Sequence, residues 1–209
     1  MRPIPTRVYH FTRLEHLPTI MEHGLVCDTQ AQLTQLLAVE IGNLDIKARR
    51  ALTCVPVSPG GTVADYAPFY FAPRSPMMYA IHMGNVPTYT EGTGKLVYLV
   101  TTLERLQQLS REVILTDRNA VLRVAQFERL ADGFPDDDFI DWQLMDAKYW
   151  GEYPDGRERR MAECLVHQSV PWEAFVDVAV KSRPVAERVR AMLPSRSVPS
   201  VSVRPEYYF

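Results

Sequence analysis

The sequence predicts an α+β fold, with short, mostly antiparallel or mixed strands and helices packed around them. Two observations carry that expectation. Strand-like and helix-like segments alternate near both ends of the chain, and the middle consists of strands separated by Pro, Gly and Asx turns. In addition, no repeat, low-complexity block or linker interrupts the 209 residues, a length suited to one well-packed core. Residues 1–209 are therefore read as a single domain.

Residues 7–12 form the first expected strand, with Val8, His10 and Thr12 on one face and Tyr9 and Phe11 on the other. A helix follows over 13–23, where Leu14, Leu17, Ile20 and Met21 recur at helical spacing and Gly24 stands at the C-cap position. Residues 29–53 read as helical through Leu33, Leu36, Leu37, Val39 and Ile41, then reach the basic patch Lys47, Arg49 and Arg50. That patch is either a solvated helix end or an anion contact. Pro and Gly make 55–61 a loop.

Phe69, Tyr70 and Phe71 form a short aromatic strand, and Ser75 is placed to cap a helix containing Met77, Met78, Tyr79 and Ile81. Tyr70 and Tyr79 flank a turn that contains Arg74, a composition able to wall a flat ring. Gly94-Lys95 is not a phosphate loop, because Tyr89 stands where the upstream glycine is required. Further strands are expected at 95–101, 113–115, 162–170 and 175–181, and a last one near 198–203. Helices are expected at 103–109, 141–150 and 184–192. The turn at 116–120 is rich in side-chain donors and acceptors, 132–138 is an acidic linker, and 153–156 is a turn.

The totals exclude some classes. A net charge of −2 rules out a broadly basic nucleic-acid coat, though not a local basic groove. The cations are 19 arginines against 4 lysines, and arginine suits bidentate contact with phosphate. Cys27, Cys54 and Cys164 lack zinc spacing and read as reduced thiols. No signal-peptide core or membrane-length apolar run is present, so a soluble, cytoplasmic protein without a metal centre is expected.

Glu163 opens the apolar run at 162–170, which Pro171 closes. A carboxylate at the head of a buried strand loses solvent, which is costly unless it has a partner or a task. Glu163 is thus a candidate acid, base or sugar-hydroxyl clamp. The competing reading is an edge-strand glutamate facing water.

Tyr-His-Phe-Thr at 9–12, Tyr-Phe-Ala-Pro-Arg-Ser-Pro-Met at 70–77, Tyr79 and the late strand glutamate at 163 together resemble the ADP-ribosyltransferases. Pro59-Gly60-Gly61, the Thr116-Asp117-Arg118 turn and the Arg49-Arg50 pair resemble, more narrowly, the DarT toxins of DarT–DarG toxin–antitoxin systems. That family attaches ADP-ribose from NAD to thymidine in single-stranded DNA. The resemblance runs over nearly the whole chain. It implies a core of two packed, mostly antiparallel sheets with surrounding helices, NAD as co-substrate, single-stranded DNA as acceptor, a DarG-type macrodomain antitoxin as partner, and a monomer.

The resemblance also implies roles. Glu163 and Arg50 would be catalytic, Arg50 matching an arginine that steadies the NAD phosphates or the target base. His10 would hold a ribose hydroxyl, and Thr12 would lie near the nicotinamide ribose or amide. Tyr70 or Tyr79 would stack on the nicotinamide, and Arg74 would contact phosphate. Arg49, Arg118 and Tyr149 would face the DNA. A carboxylate in a dry site suits a reaction in which positive charge builds on a sugar. Two other readings are an ADP-ribosyltransferase acting on protein or RNA, and a non-catalytic nucleic-acid-binding module.

Overall fold

The computed structural model describes residues 1–35, 44–136, 138–193 and 199–209. Its strands are β1 (Arg7–Arg13), β2 (Leu25–Val26), β3 (Tyr66–Tyr70), β4 (Leu96–Thr102), β5 (Val113–Thr116), β6 (Phe127–Arg129), β7 (Glu163–His167), β8 (Ser169–Val170), β9 (Asp177–Val180) and β10 (Ser200–Val203). Its helices are α1 (Leu17–His23), α2 (Asp28–Leu33), α3 (Leu44–Leu52), α4 (Pro76–His82), α5 (Leu103–Gln108), α6 (Trp142–Asp146), α7 (Gly156–Arg159) and α8 (Arg183–Met192).

Eight strands form one sheet in the order β10-β9-β4-β1-β3-β7-β5-β6, and β2 pairs with β8 in a small second sheet. The ladders are antiparallel except that between β9 and β10. Within the large sheet, β1 runs alongside β4 over its full length but meets β3 at one Cα pair, Tyr9 opposite Tyr70. The α+β, mostly antiparallel expectation holds, with two four-stranded halves that touch at this point. Residues from both halves can therefore converge beside the junction.

The core follows from alternation along the strands. All of β4 is buried: Val97 and Leu99 enter the main core, and Leu96, Tyr98 and Val100 enter a second one closed by Tyr208. β1 divides in the same way, Val8 facing the first core and Phe11 the second. Ser75 caps α4 as its sequence implies, its hydroxyl accepting from the Met78 N–H at 3.2 Å. No helix among the described residues is long and apolar enough to cross a membrane.

Several boundaries differ from expectation, each for a local reason. The strand expected over 162–170 breaks at Gln168, which takes a φ of 61° and donates its N–H to Asp65 O at 2.8 Å. That kink passes the chain from the large sheet to the small one. The helix expected over 141–150 ends after Asp146, and the turn at 153–156 leads into the single turn of α7. β2 and β6, at two and three residues, are too short to show a period. Leu36, Leu37, Val39 and Ile41 lie outside the described residues.

Gly24 joins α1 to β2 and is needed there. Its φ is 78°, and a Cβ would stand 2.7 Å from the Val170 carbonyl oxygen, on the strand that pairs with β2. Gly24→Ala is expected to lower the unfolding free energy by about 1–3 kcal/mol, measured by urea denaturation. An unchanged midpoint would mean that the β2–β8 pair is dispensable.

Candidate active site

Glu163 is the first residue of β7, and β-sheet register sets it opposite Tyr70 at the end of β3. Its side chain is 2% exposed. Glu163 Oε2 accepts from Arg50 Nη1 at 2.8 Å, Oε1 accepts from the Ala120 N–H at 3.0 Å, and the Glu163 N–H donates to Thr116 Oγ1 at 3.0 Å. The water-facing reading of Glu163 is therefore overturned. The carboxylate is buried and paired, and each oxygen keeps lone-pair capacity for a further donor.

Arg50 comes from α3 and is itself buried. Burial opposes its charge, but the Glu163 carboxylate outweighs that and holds the guanidinium pKa above its ordinary value. Nη2 reaches the Val63 carbonyl oxygen at 3.4 Å, and Nε lies 4.0 Å from Asp28 Oδ2. Two of the five N–H donors of an arginine are thus engaged.

Beside the pair is a cavity of about 740 Å³, within the size range of small-molecule and cofactor sites. His10, Thr12, Arg50, Tyr70 and Tyr79 line it, with Asn119, Trp150 and Arg157 on other parts of the wall. Glu163 is not on the wall, whereas its partner Arg50 and its opposite residue Tyr70 are.

His10 Nδ1 lies 2.8 Å from the Pro68 carbonyl oxygen. A carbonyl can only accept, so Nδ1 carries the proton. Burial pushes the ring's pKa down to about 4, which leaves His10 neutral at physiological pH. Nε2 is then an acceptor, suited to a sugar hydroxyl. Thr12 Oγ1 is 2.9 Å from His16 Nδ1 in the same wall. Burial and the nearby Glu163 charge push the Tyr70 pKa up, so its hydroxyl stays protonated. Tyr79 is 40% exposed at the mouth and meets Trp150 edge-on at 5.9 Å.

A family model described as "ssDNA thymidine ADP-ribosyltransferase, DarT" matches residues 9–209. The chain belongs to this family. A DNA ADP-ribosyl transferase from Thermus sp. (strain 2.9) is 35% identical over 99% of this chain and 98% of its own length. One from Mycobacterium tuberculosis (strain H37Rv) is 31% identical over 100% and 91%. The fold matches Thermus sp. 2.9 DarT in complex with ADP-ribosylated single-stranded DNA with a TM-score of 0.90 at 33% identity, covering 100% of this chain and 99% of that one. The same protein in complex with NAD+ matches with a TM-score of 0.87 at 32% identity, over 100% of both chains.

Among the residues that the DarT resemblance singled out, the fold brings His10, Thr12, Arg50, Tyr70 and Tyr79 onto one cavity, with Glu163 directly behind. Four others lie outside the lining. Arg49 is exposed on α3. Arg118 Nε bonds to Asp117 Oδ2 at 2.8 Å, and Tyr149 is 60% exposed. The Arg74 guanidinium lies over the Phe209 ring, 4.4 Å from its centroid. Sequence reasoning missed Asp28, which pairs on the wall with Lys47 of the basic patch at 2.9 Å, together with Asn119, Trp150 and Arg157. The donor-rich turn at 116–120 was the one signal available for Asn119 and for the Ala120 amide. No group of three or more His, Cys, Asp or Glu able to hold a metal occurs among the described residues.

The burial difference between two adjacent arginines gives a direct test. Arg50→Ala strands the Glu163 charge and is expected to cost about 3–5 kcal/mol of stability, whereas exposed Arg49→Ala should stay within about 0.5 kcal/mol, both by urea denaturation. His10 gives a second test. Its folded pKa of about 4 lies below the unfolded value of about 6.5, so the unfolded chain binds more protons between them. That part of the stability is present above about pH 6.5 and is lost as pH falls toward 4. A His10→Gln variant should show a shallower loss over this window, and a parallel loss would place the titration elsewhere.

Proposed function

We propose that the chain transfers ADP-ribose from NAD to a thymine ring nitrogen in single-stranded DNA, releasing nicotinamide. The observation that carries this reading is the buried Arg50–Glu163 pair beside a cavity that also holds a neutral histidine. The solved Thermus relative, in complexes with NAD+ and with ADP-ribosylated single-stranded DNA, supports it over the full length of the chain.

The residues fit NAD by chemistry. His10 Nε2 accepts a ribose hydroxyl proton. Arg50, whose remaining N–H groups belong to a side chain on the cavity wall, meets phosphate or thymine carbonyl oxygens. Tyr70 and Tyr79 offer rings to the nicotinamide. When the bond from ribose to nicotinamide breaks, its electron pair leaves with nicotinamide and positive charge develops on the sugar. Glu163 places a negative charge beside that centre, where low dielectric strengthens it. The thymine ring nitrogen then bonds to the sugar carbon, and the proton it gives up passes to Glu163 as general base. A base already unstacked in a single strand costs least to bring in.

In this reading residues 1–209 are one catalytic domain, since strands from both ends of the chain share the large sheet. A fusion relative from Thermosipho africanus joins a DNA ADP-ribosyl transferase to a DNA ADP-ribosyl glycohydrolase; it is 22% identical, over 51% of that protein's length. That arrangement supports a role as a toxin held in check by a DarG-type macrodomain partner that removes the mark.

The test is incubation with NAD and three matched oligonucleotides: single-stranded with thymine, single-stranded without it, and duplex. Mass spectrometry should find one added ADP-ribose on the thymine-bearing single strand alone. Glu163→Gln, which keeps the size of the side chain, should abolish the addition while NAD still raises the melting temperature. Modification of the thymine-free strand, or full activity of Glu163→Gln, would overturn the reading.

A further inference from the structure

We propose that Asp28 is a positioning residue for the transfer step: it serves as a second counter-ion of Arg50 and holds the guanidinium in place when Glu163 takes up a proton. This rests on the reading of the chain as an ADP-ribosyltransferase that uses Glu163 as general base.

In that step the proton passes from the thymine nitrogen to Glu163 and removes the carboxylate's charge. Arg50 is then a buried cation without its main partner, a costly state unless another negative charge is near. Among the described residues Asp28 supplies it. Asp28 Oδ2 stands 4.0 Å from Arg50 Nε, and that Nε is buried without a hydrogen-bond partner. A movement of about 1 Å closes the gap to a charge-assisted hydrogen bond. Burial opposes the Arg50 charge, and the field of Glu163, followed by that of Asp28, holds the guanidinium pKa above its ordinary value.

The Asp28 carboxylate is divided between two cations of α3. Oδ1 meets Lys47 Nζ at 2.9 Å, and Oδ2 faces Arg50. Lys47 and Arg50 are three residues apart and so share one face of the helix, which lets a single carboxylate on α2 serve both. Glu163, Arg50, Asp28 and Lys47 alternate in sign from the buried base outward. The Asp28 side chain is 22% exposed against 2% for Glu163, so water helps to carry its charge through the step.

The chain fixes Asp28 from both sides. The Cys27 N–H donates to Gln168 O at 2.7 Å, at the kink that follows β7, and Thr29 Oγ1 donates to Asp65 Oδ1 at 2.7 Å. Asp65 Oδ2 in turn accepts from the Thr62 N–H at 2.7 Å. The strand that carries Glu163 and the turn of helix that carries Asp28 are thereby held in one frame, with the Arg50 guanidinium between them.

The experiment joins steady-state kinetics to a melting cycle. With NAD and a thymine oligonucleotide, Asp28→Asn keeps the shape and removes the charge. It should lower kcat roughly 10- to 100-fold, with kcat/KM for NAD falling in proportion, and Asp28→Glu should restore part of the loss. A raised KM for NAD with kcat unchanged would make Asp28 a ligand contact and overturn the proposal. The melting cycle needs no turnover. Glu163→Gln imitates the protonated carboxyl, so adding Asp28→Asn to it should lower the melting temperature by about 4 °C or more beyond the sum of the two single losses. Additive losses would overturn the proposal. If the wild-type chain modifies no DNA, the functional reading fails separately, and the melting cycle alone decides whether Asp28 backs Arg50. If the double variant does not fold, the kinetic split decides.

Discussion

The ion pair between Arg50 and Glu163 is the constraint around which the site is built. Two charges this far from water are costly, and mutual attraction repays that cost only when the geometry is good and the remaining valences are met. Here Oε2 takes an arginine N–H at 2.8 Å and Oε1 a backbone N–H at 3.0 Å. Each contact needs a different part of the chain: α3 for Arg50, the turn after β5 for Ala120, and the head of β7 for Glu163. A fold that failed to bring these three together would leave a buried charge unpaired. The same pair that fixes the local structure also stores a carboxylate in a dry environment, where a developing cation feels it most.

The sheet explains how such distant residues meet. β1 and β3 share the one Tyr9–Tyr70 pair, and Tyr70 is in turn opposite Glu163. That junction brings His10 and Thr12 from one half of the sheet beside Tyr70 and Glu163 from the other. The second core, with Tyr98 packed edge-on against Tyr208 at 5.2 Å, anchors the last residues, so that Phe209 reaches Tyr79 and Trp150 at the mouth. The scaffold is rigid where the buried carboxylate must be held and exposed where a strand of DNA has to arrive.

The sequence was readable where a residue's role is local or where several motifs point the same way. The faces of β1 follow from alternation, the Ser75 cap from its place before Pro76, and the association of His10, Tyr70 and Glu163 from the family pattern. Arg50 and Glu163 are each singled out in the sequence but not as partners: residues 113 positions apart leave no local trace of their pairing. The Asp28–Lys47 pair escaped for the same reason. Glu163 showed that it would lose solvent, though not which donors would compensate it. The 162–170 run reads as one strand because its apolar pattern is continuous, and the left-handed turn at Gln168 is imposed by the Asp65 carbonyl from another part of the chain. The resemblance assigns Arg74 to phosphate, whereas its position over Phe209 depends on the far end of the chain.

The most direct test of the central claim, that the Arg50–Glu163 pair faces the sugar from which ADP-ribose is transferred, is a crystal structure of the Glu163→Gln variant with NAD. The account predicts the nicotinamide ribose within hydrogen-bonding distance of residue 163 and of Arg50 or Tyr70, with another ribose hydroxyl on His10 Nε2. A dinucleotide bound elsewhere on the surface, with residue 163 still sealed behind Arg50, would contradict it.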